Sequence, residues 1–103
     1  MTCHLTKRWG EGVANPCESD LLSALDELKQ SDPEHPDCWV SDEGGWSLSA
    51  HEGGLVVLEN IETDEGPWHM RGVKPETVLQ YWQMLIRGDI ALLRALSWKG
   101  GYG

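Results

Sequence analysis

Three cysteines and four histidines are the side chains of this 103-residue sequence best suited to hold a metal ion. A structural zinc site usually combines two close pairs, and His35-x-x-Cys38 is the only pair here at suitable spacing. Cys3 or Cys17 would have to complete the set. Cys3-His4 makes a poor half-site, because neighbours on a strand point to opposite faces. Buried thiols and exposed imidazoles account for these residues more simply, so neither a metal nor another cofactor is expected. Nucleophilic catalysis needs a thiol or hydroxyl beside a base. Cys17 stands at a helix start, where the dipole favours a thiolate, but Glu18 and Asp20 beside it act in the opposite direction. There is no nucleophile elbow and no Gly-rich phosphate loop; Gly44-Gly45 and Gly53-Gly54 read as turns. No residue is therefore assigned a catalytic role.

Charge is the stronger chemical signal. Of the 17 acidic residues, 15 lie in residues 1–65, beside only Lys7, Arg8 and Lys29. Residues 66–103 carry two acidic residues against five basic ones, and the formal net charge is −9. Such a surface repels nucleic acid and anionic membrane and steers basic partners toward itself. The plainer account is a solvated surface that keeps the protein in solution. Three acidic loops stand out: Asp32, Glu34 and Asp37; Asp42 and Glu43; and Glu62, Asp64 and Glu65. Alternate turns of a meander fall at opposite ends of a sheet, so Asp42, Glu43, Glu62, Asp64 and Glu65 are expected at one end and Glu52 at the other. These five acids, with Trp68 as an aromatic anchor, form the candidate partner-binding site. Trp46 is expected in the core.

The elements that would position them can be read from periodicity. Thr2–Trp9 alternates as a strand, with Cys3, Leu5 and Trp9 on one face. Asn15 reads as a helix N-cap with Pro16 in the first turn, and Leu21, Leu22, Leu25 and Leu28 follow at core spacing as far as Gln30. Pro33 and Pro36 prevent continuation. Cys38–Val40, Trp46–His51, Leu55–Ile61 and Trp68–Gly72 read as strands joined by turns. Lys74-Pro75 opens a second helix ended by Gly88, and Asp89 caps a third over Ile90–Leu96. The order implies one α+β domain: an antiparallel β-meander of four to five strands, with a helix from the N-terminal half and two C-terminal helices packed on one face. With no Phe and six Trp, most indoles must fill the core. Cys38–Val40 or Thr2–Trp9 at a sheet edge would permit a homodimer. No apolar stretch follows Met1–Arg8 and no window approaches a membrane span, so a cytoplasmic protein with reduced thiols is expected.

Residues 38–98 carry a further pattern. A Trp-rich meander leads into a helix with Val78-x-x-x-Trp82-x-x-Leu85-Ile86 on one face. Arg87-Gly88-Asp89 and a short helix then reach Ser97-Trp98. This resembles the immunity proteins of bacterial polymorphic toxin systems. The resemblance implies an α+β fold that binds and blocks a cognate toxin domain, commonly a nuclease or nucleic-acid deaminase. It transfers no toxin-contacting residue. Toxins of this kind present basic clefts to phosphate, which an acidic inhibitor can occupy. The expected function is thus a non-enzymatic acidic inhibitor of a basic partner protein. The alternatives are a small regulatory or housekeeping interaction domain and, third, a small zinc- or thiol-dependent enzyme.

Overall fold

In the computed structural model, which describes residues 2–103, strands follow the alternation of large apolar and small polar residues. Met1, where the segment read for an export signal begins, lies outside the described residues. In chain order the elements are β1 (His4–Thr6), β2 (Gly12–Ala14), α1 (Glu18–Glu27), β3 (Asp37–Ser41), β4 (Trp46–His51), a 3-10 turn (Glu52–Gly54), β5 (Val56–Asn60), β6 (Glu65–Met70), α2 (Pro75–Ile86), α3 (Ile90–Arg94) and β7 (Lys99–Gly100). The strands form one antiparallel sheet ordered β2-β1-β3-β4-β5-β6-β7. This is the expected α+β meander, extended by a short strand at each edge.

Both added strands lack a readable period. β2 has three residues and is held by a tight turn, in which Lys7 N donates to Glu11 O at 2.8 Å. β7 has two residues in a stretch read as a Gly-rich tail. The sheet order corrects the expected placement of Thr2–Trp9 and Cys38–Val40 at a sheet edge. β1 is flanked by β2 and β3, and β3 by β1 and β4, so neither offers a free edge.

The helices cover one face of the sheet. Cys3, just before β1, and Leu5, Cys38, Val40, Leu48, Ala50, Val56 and Leu58 from the strands meet Leu21, Ala24, Leu25, Val78, Trp82, Leu85 and Leu93 from the helices. Trp82 is wholly buried, and its indole N–H donates to Leu48 O at 2.9 Å, which removes the desolvation cost of the buried N–H. Trp46, Trp68 and Trp98 pack against the same core. Trp9, expected beside Leu5, instead lies past the end of β1 and is 46% exposed. In α1 the inward face runs through Leu21, Ala24 and Leu25, while Leu22 is exposed at the groove beside α2.

Helix boundaries shift for local reasons. Cys17, not Asn15, occupies the N-cap of α1, and the Asp20 carboxylate accepts the Cys17 N–H at 2.9 Å and its thiol at 3.2 Å. Asn15 takes a positive φ of 49°, and its side-chain oxygen accepts the Cys3 N–H at 3.2 Å, closing the β1–β2 hairpin. Gly88 takes the expected left-handed conformation after α2, with φ 82°. Asp89 precedes α3, but its carboxylate pairs with Arg87 at 3.1 Å and does not cap the helix. Among the described residues no helix is long and apolar enough to cross a membrane.

Candidate functional site

The β3–β4 and β5–β6 turns meet at one end of the sheet. Asp42 closes the first as an Asx turn, accepting the N–H groups of Gly44 at 2.9 Å and Trp46 at 3.0 Å. Asn60 organises the second. Its buried amide oxygen accepts the N–H groups of Glu62 at 2.9 Å and Thr63 at 3.0 Å. Its amide nitrogen donates across to Gly44 O at 3.0 Å, and Ile61 N donates to Gly45 O at 3.0 Å. Gly45 has φ +91°, and a Cβ there would lie 2.6 Å from Asn60 Oδ1, so glycine is required where the turns touch. Asn60 was not singled out from the sequence. The available signal was an Asn ending a strand before an acidic turn, the usual setting of an Asx turn.

The six candidate residues divide on this scaffold. Glu43, Glu62 and Asp64 are exposed. The hydrogen bond from Thr2 holds the Glu43 carboxyl below its ordinary value, with a backbone contact at 3.0 Å. Asp42 is partly covered and its carboxylate is occupied by the turn. Glu65 pairs with Arg94 at 3.0 Å and accepts the Thr63 hydroxyl at 3.1 Å. Trp68 lies on the helix-covered face. It stacks on Trp46 with centroids 6.4 Å apart, and the Arg94 guanidinium sits 5.4 Å from the Trp46 ring and 5.6 Å from the Trp68 ring. The structure therefore brings the acidic turns together but places Trp68 in a structural stack.

Glu52, at the opposite end, belongs to a cluster built on Arg8. The Arg8 side chain is fully enclosed. It donates to His35 O at 2.9 Å, to Gln30 O at 2.7 Å, to Glu27 O, to Asp32 O at 3.3 Å and to the Glu52 carboxylate. One of these carbonyls belongs to Glu27, the last residue of α1, which lacks a basic residue in its last turn, and another to Gln30, just beyond the helix. Arg8 thus supplies the missing partner from a neighbouring hairpin. The Asp32 N–H at 2.7 Å and then Arg8 hold the Glu52 carboxyl below its ordinary value. Trp9 donates to Asp32 at 2.8 Å and is the largest cause of that carboxyl's lowered pKa.

The metal and thiol candidates disperse. His35 is partly exposed and contacts Asp32 at 3.2 Å, whereas Cys38 is buried in the core, where desolvation pushes its pKa up to about 12. Burial also raises the Cys3 pKa, and Cys17 is exposed on α1. Among the described residues no three His, Cys, Asp or Glu side chains gather to hold a metal ion.

The helix-free face of the sheet contains a feature not singled out from the sequence. Trp39, Ser49 and Val57 stand side by side in register on β3, β4 and β5. With Asp37, His51 and Glu59 they border a hollow of about 360 Å³. Ser49 Oγ lies 3.1 Å from His51 Nε2, and Asp37 Oδ2 lies 4.0 Å from the same nitrogen. A Ser-His-Asp relay needs the carboxylate on the other ring nitrogen, so this cluster lacks the relay geometry. The strand N–H groups around it also serve the sheet ladder, leaving them poorly placed to form an oxyanion hole. Its chemistry is that of an aromatic surface with hydroxyl, imidazole and carboxylate groups around it. No protein-family model, no curated protein and no solved structure matches the chain, so these residues carry the functional argument by themselves.

Proposed function

We propose that the protein is a non-enzymatic acidic inhibitor that binds a basic, nucleic-acid-acting protein, such as a bacterial toxin domain, and occludes its substrate cleft. The observation that carries this reading is the joining of two acidic turns at one sheet end by Asn60 and Gly45, with Glu43, Glu62 and Asp64 exposed on them. Anchored acidic turns raise association rates with a basic surface, because the charges are held in place before the encounter. Cytoplasmic placement belongs to the same proposal, since an inhibitor of this kind protects the cell that holds the target.

The experiment is capture on the immobilised chain at low salt, salt-gradient release, and assay of the released basic protein on nucleic acid with and without the chain. Inhibition at one-to-one stoichiometry is expected. Glu43→Lys with Glu62→Lys should slow association several-fold at about 20 mM salt and much less at about 500 mM, where the Debye length is only a few ångströms. Glu65 is a poorer choice for reversal, because changing it also breaks the Arg94 pair. Binding without inhibition, or association indifferent to both salt and charge reversal, sinks the proposal. The alternative, a regulatory interaction domain whose acidity serves solubility, predicts that salt-insensitive result.

A further inference from the structure

Acidic turns accelerate encounter, but a long-lived complex also needs an apolar anchor that loses its water on binding. Trp68 is already engaged by Trp46 and Arg94. The opposite face of the sheet has an anchor available. Trp39 is only partly buried there, and its neighbours in the sheet are small and polar: Thr6 on β1 and Ser49 on β4 face it in the register, with Ser41 and Ser47 beyond. Ile61 is 68% exposed and Tyr102 is 63% exposed, and both line the 360 Å³ hollow over Trp39 and an adjoining hollow bordered by Glu59, Asp64 and Glu65. No Lys or Arg lines either hollow. The Tyr102 hydroxyl donates to Glu59 Oε2 at 2.7 Å, which fixes that carboxylate at the border.

Resting on the acidic-inhibitor reading, we infer that this open face, centred on Trp39, is the docking surface, and that it receives an arginine or lysine side chain of the basic partner over the Trp39 indole, between the Asp37 and Glu59 carboxylates. An aromatic face attracts a cation, and flanking carboxylates strengthen the preference over a neutral group. The fold already uses this geometry twice internally, with Arg8 at 5.1 Å from the Trp9 ring and Arg94 over Trp46. Asp64 borders the adjoining hollow and also belongs to the β5–β6 turn, so this acidic turn adjoins the surface that holds the anchor. A second copy of the chain is a poor occupant, because it brings the same acidic groups and another net −9.

The test is a titration of the full chain, labelled with nitrogen-15, with octa-arginine at low ionic strength, following the six indole N–H resonances and assigning Trp39 by Trp39→Phe. The Trp39 indole and the backbone of Ser47 and Ser49 should shift, while the Trp82 indole should not. Trp39→Ala should weaken binding about ten-fold, and Tyr102→Ala and Ile61→Ala a few-fold each. The last two residues are exposed, so their variants separate lost binding from lost folding.

Shifts confined to residues 43–45 and 61–64, with all three variants binding like the parent, would overturn the Trp39 surface and leave the acidic-inhibitor reading standing. No binding at low salt would overturn both. A concentration-dependent dimer abolished by Tyr102→Ala would assign the face to a second copy, and an equal response of Trp39 to an uncharged oligosaccharide would assign it to a neutral ligand. Either result would also overturn the inference.

Discussion

Replacing Arg8 by leucine removes five hydrogen-bond contacts from one enclosed guanidinium and leaves their acceptors behind. Four are backbone carbonyls, of Glu27, Gln30, Asp32 and His35, and the fifth is the Glu52 carboxylate. Gln30 and His35 are exposed residues, so water can reach those carbonyls and reduce their share of the loss. The remaining carbonyl contacts, to Glu27 and Asp32, place the expected destabilisation at about 2–4 kcal/mol. Arg8→Lys keeps the charge but has one nitrogen where arginine spreads five donors in a fork. It should recover only about a third of the loss. The assay is urea unfolding at pH 7, followed by tryptophan fluorescence and by circular dichroism.

The same cluster sets a pH dependence. The carboxyls of Glu52 and Asp32 are held below their ordinary values in the folded protein. As acid is added the unfolded chain binds protons first, so this contribution is complete above the ordinary carboxylate range and is lost as pH falls through the folded values. Arg8 contributes to the Glu52 shift and not to the Asp32 shift, so Arg8→Leu should show a slightly shallower loss of stability below about pH 5 than the parent. A loss under about 1 kcal/mol on Arg8→Leu, with an unchanged acid profile, would refute the view that Arg8 ties the end of α1 to this loop.

Three further outcomes are expected. Trp82→Phe should cost about 1–3 kcal/mol in urea unfolding, from lost volume and from a Leu48 carbonyl left without its indole donor. With a thiol reagent at pH 8, Cys17 should react in the folded protein, whereas Cys3 and Cys38 should react only on unfolding, since both are buried and both have raised pKa values. Arg94→Ala should cost about 1 kcal/mol and increase quenching of tryptophan fluorescence by acrylamide, because the cation over Trp46 and Trp68 is gone.

Local pattern was enough for β3, β4, β5, α2 and the turns between the central strands. In those stretches the alternation of residues such as Leu48 and Ala50, or the spacing of Val78, Trp82 and Leu85, reflects one face meeting the core. A meander of antiparallel hairpins also dictates that the two acidic turns fall at one end of the sheet. Charge distribution and the absence of catalytic motifs are likewise properties of the chain alone. The tertiary structure decided the rest, because each remaining feature depends on a partner distant in sequence. Asn60 finds Gly44 across a neighbouring hairpin, and Arg8 finds carbonyls 19 to 27 residues away. Trp68 and Trp39 both sit on strands in half-buried positions, and no local signal separates them. Arg94 arrives from α3 to engage Trp68, whereas the neighbours of Trp39 in the sheet are the small polar residues Thr6 and Ser49. Strand alternation assigns a side chain to one of two faces, but the packing of the helices decides which face is covered.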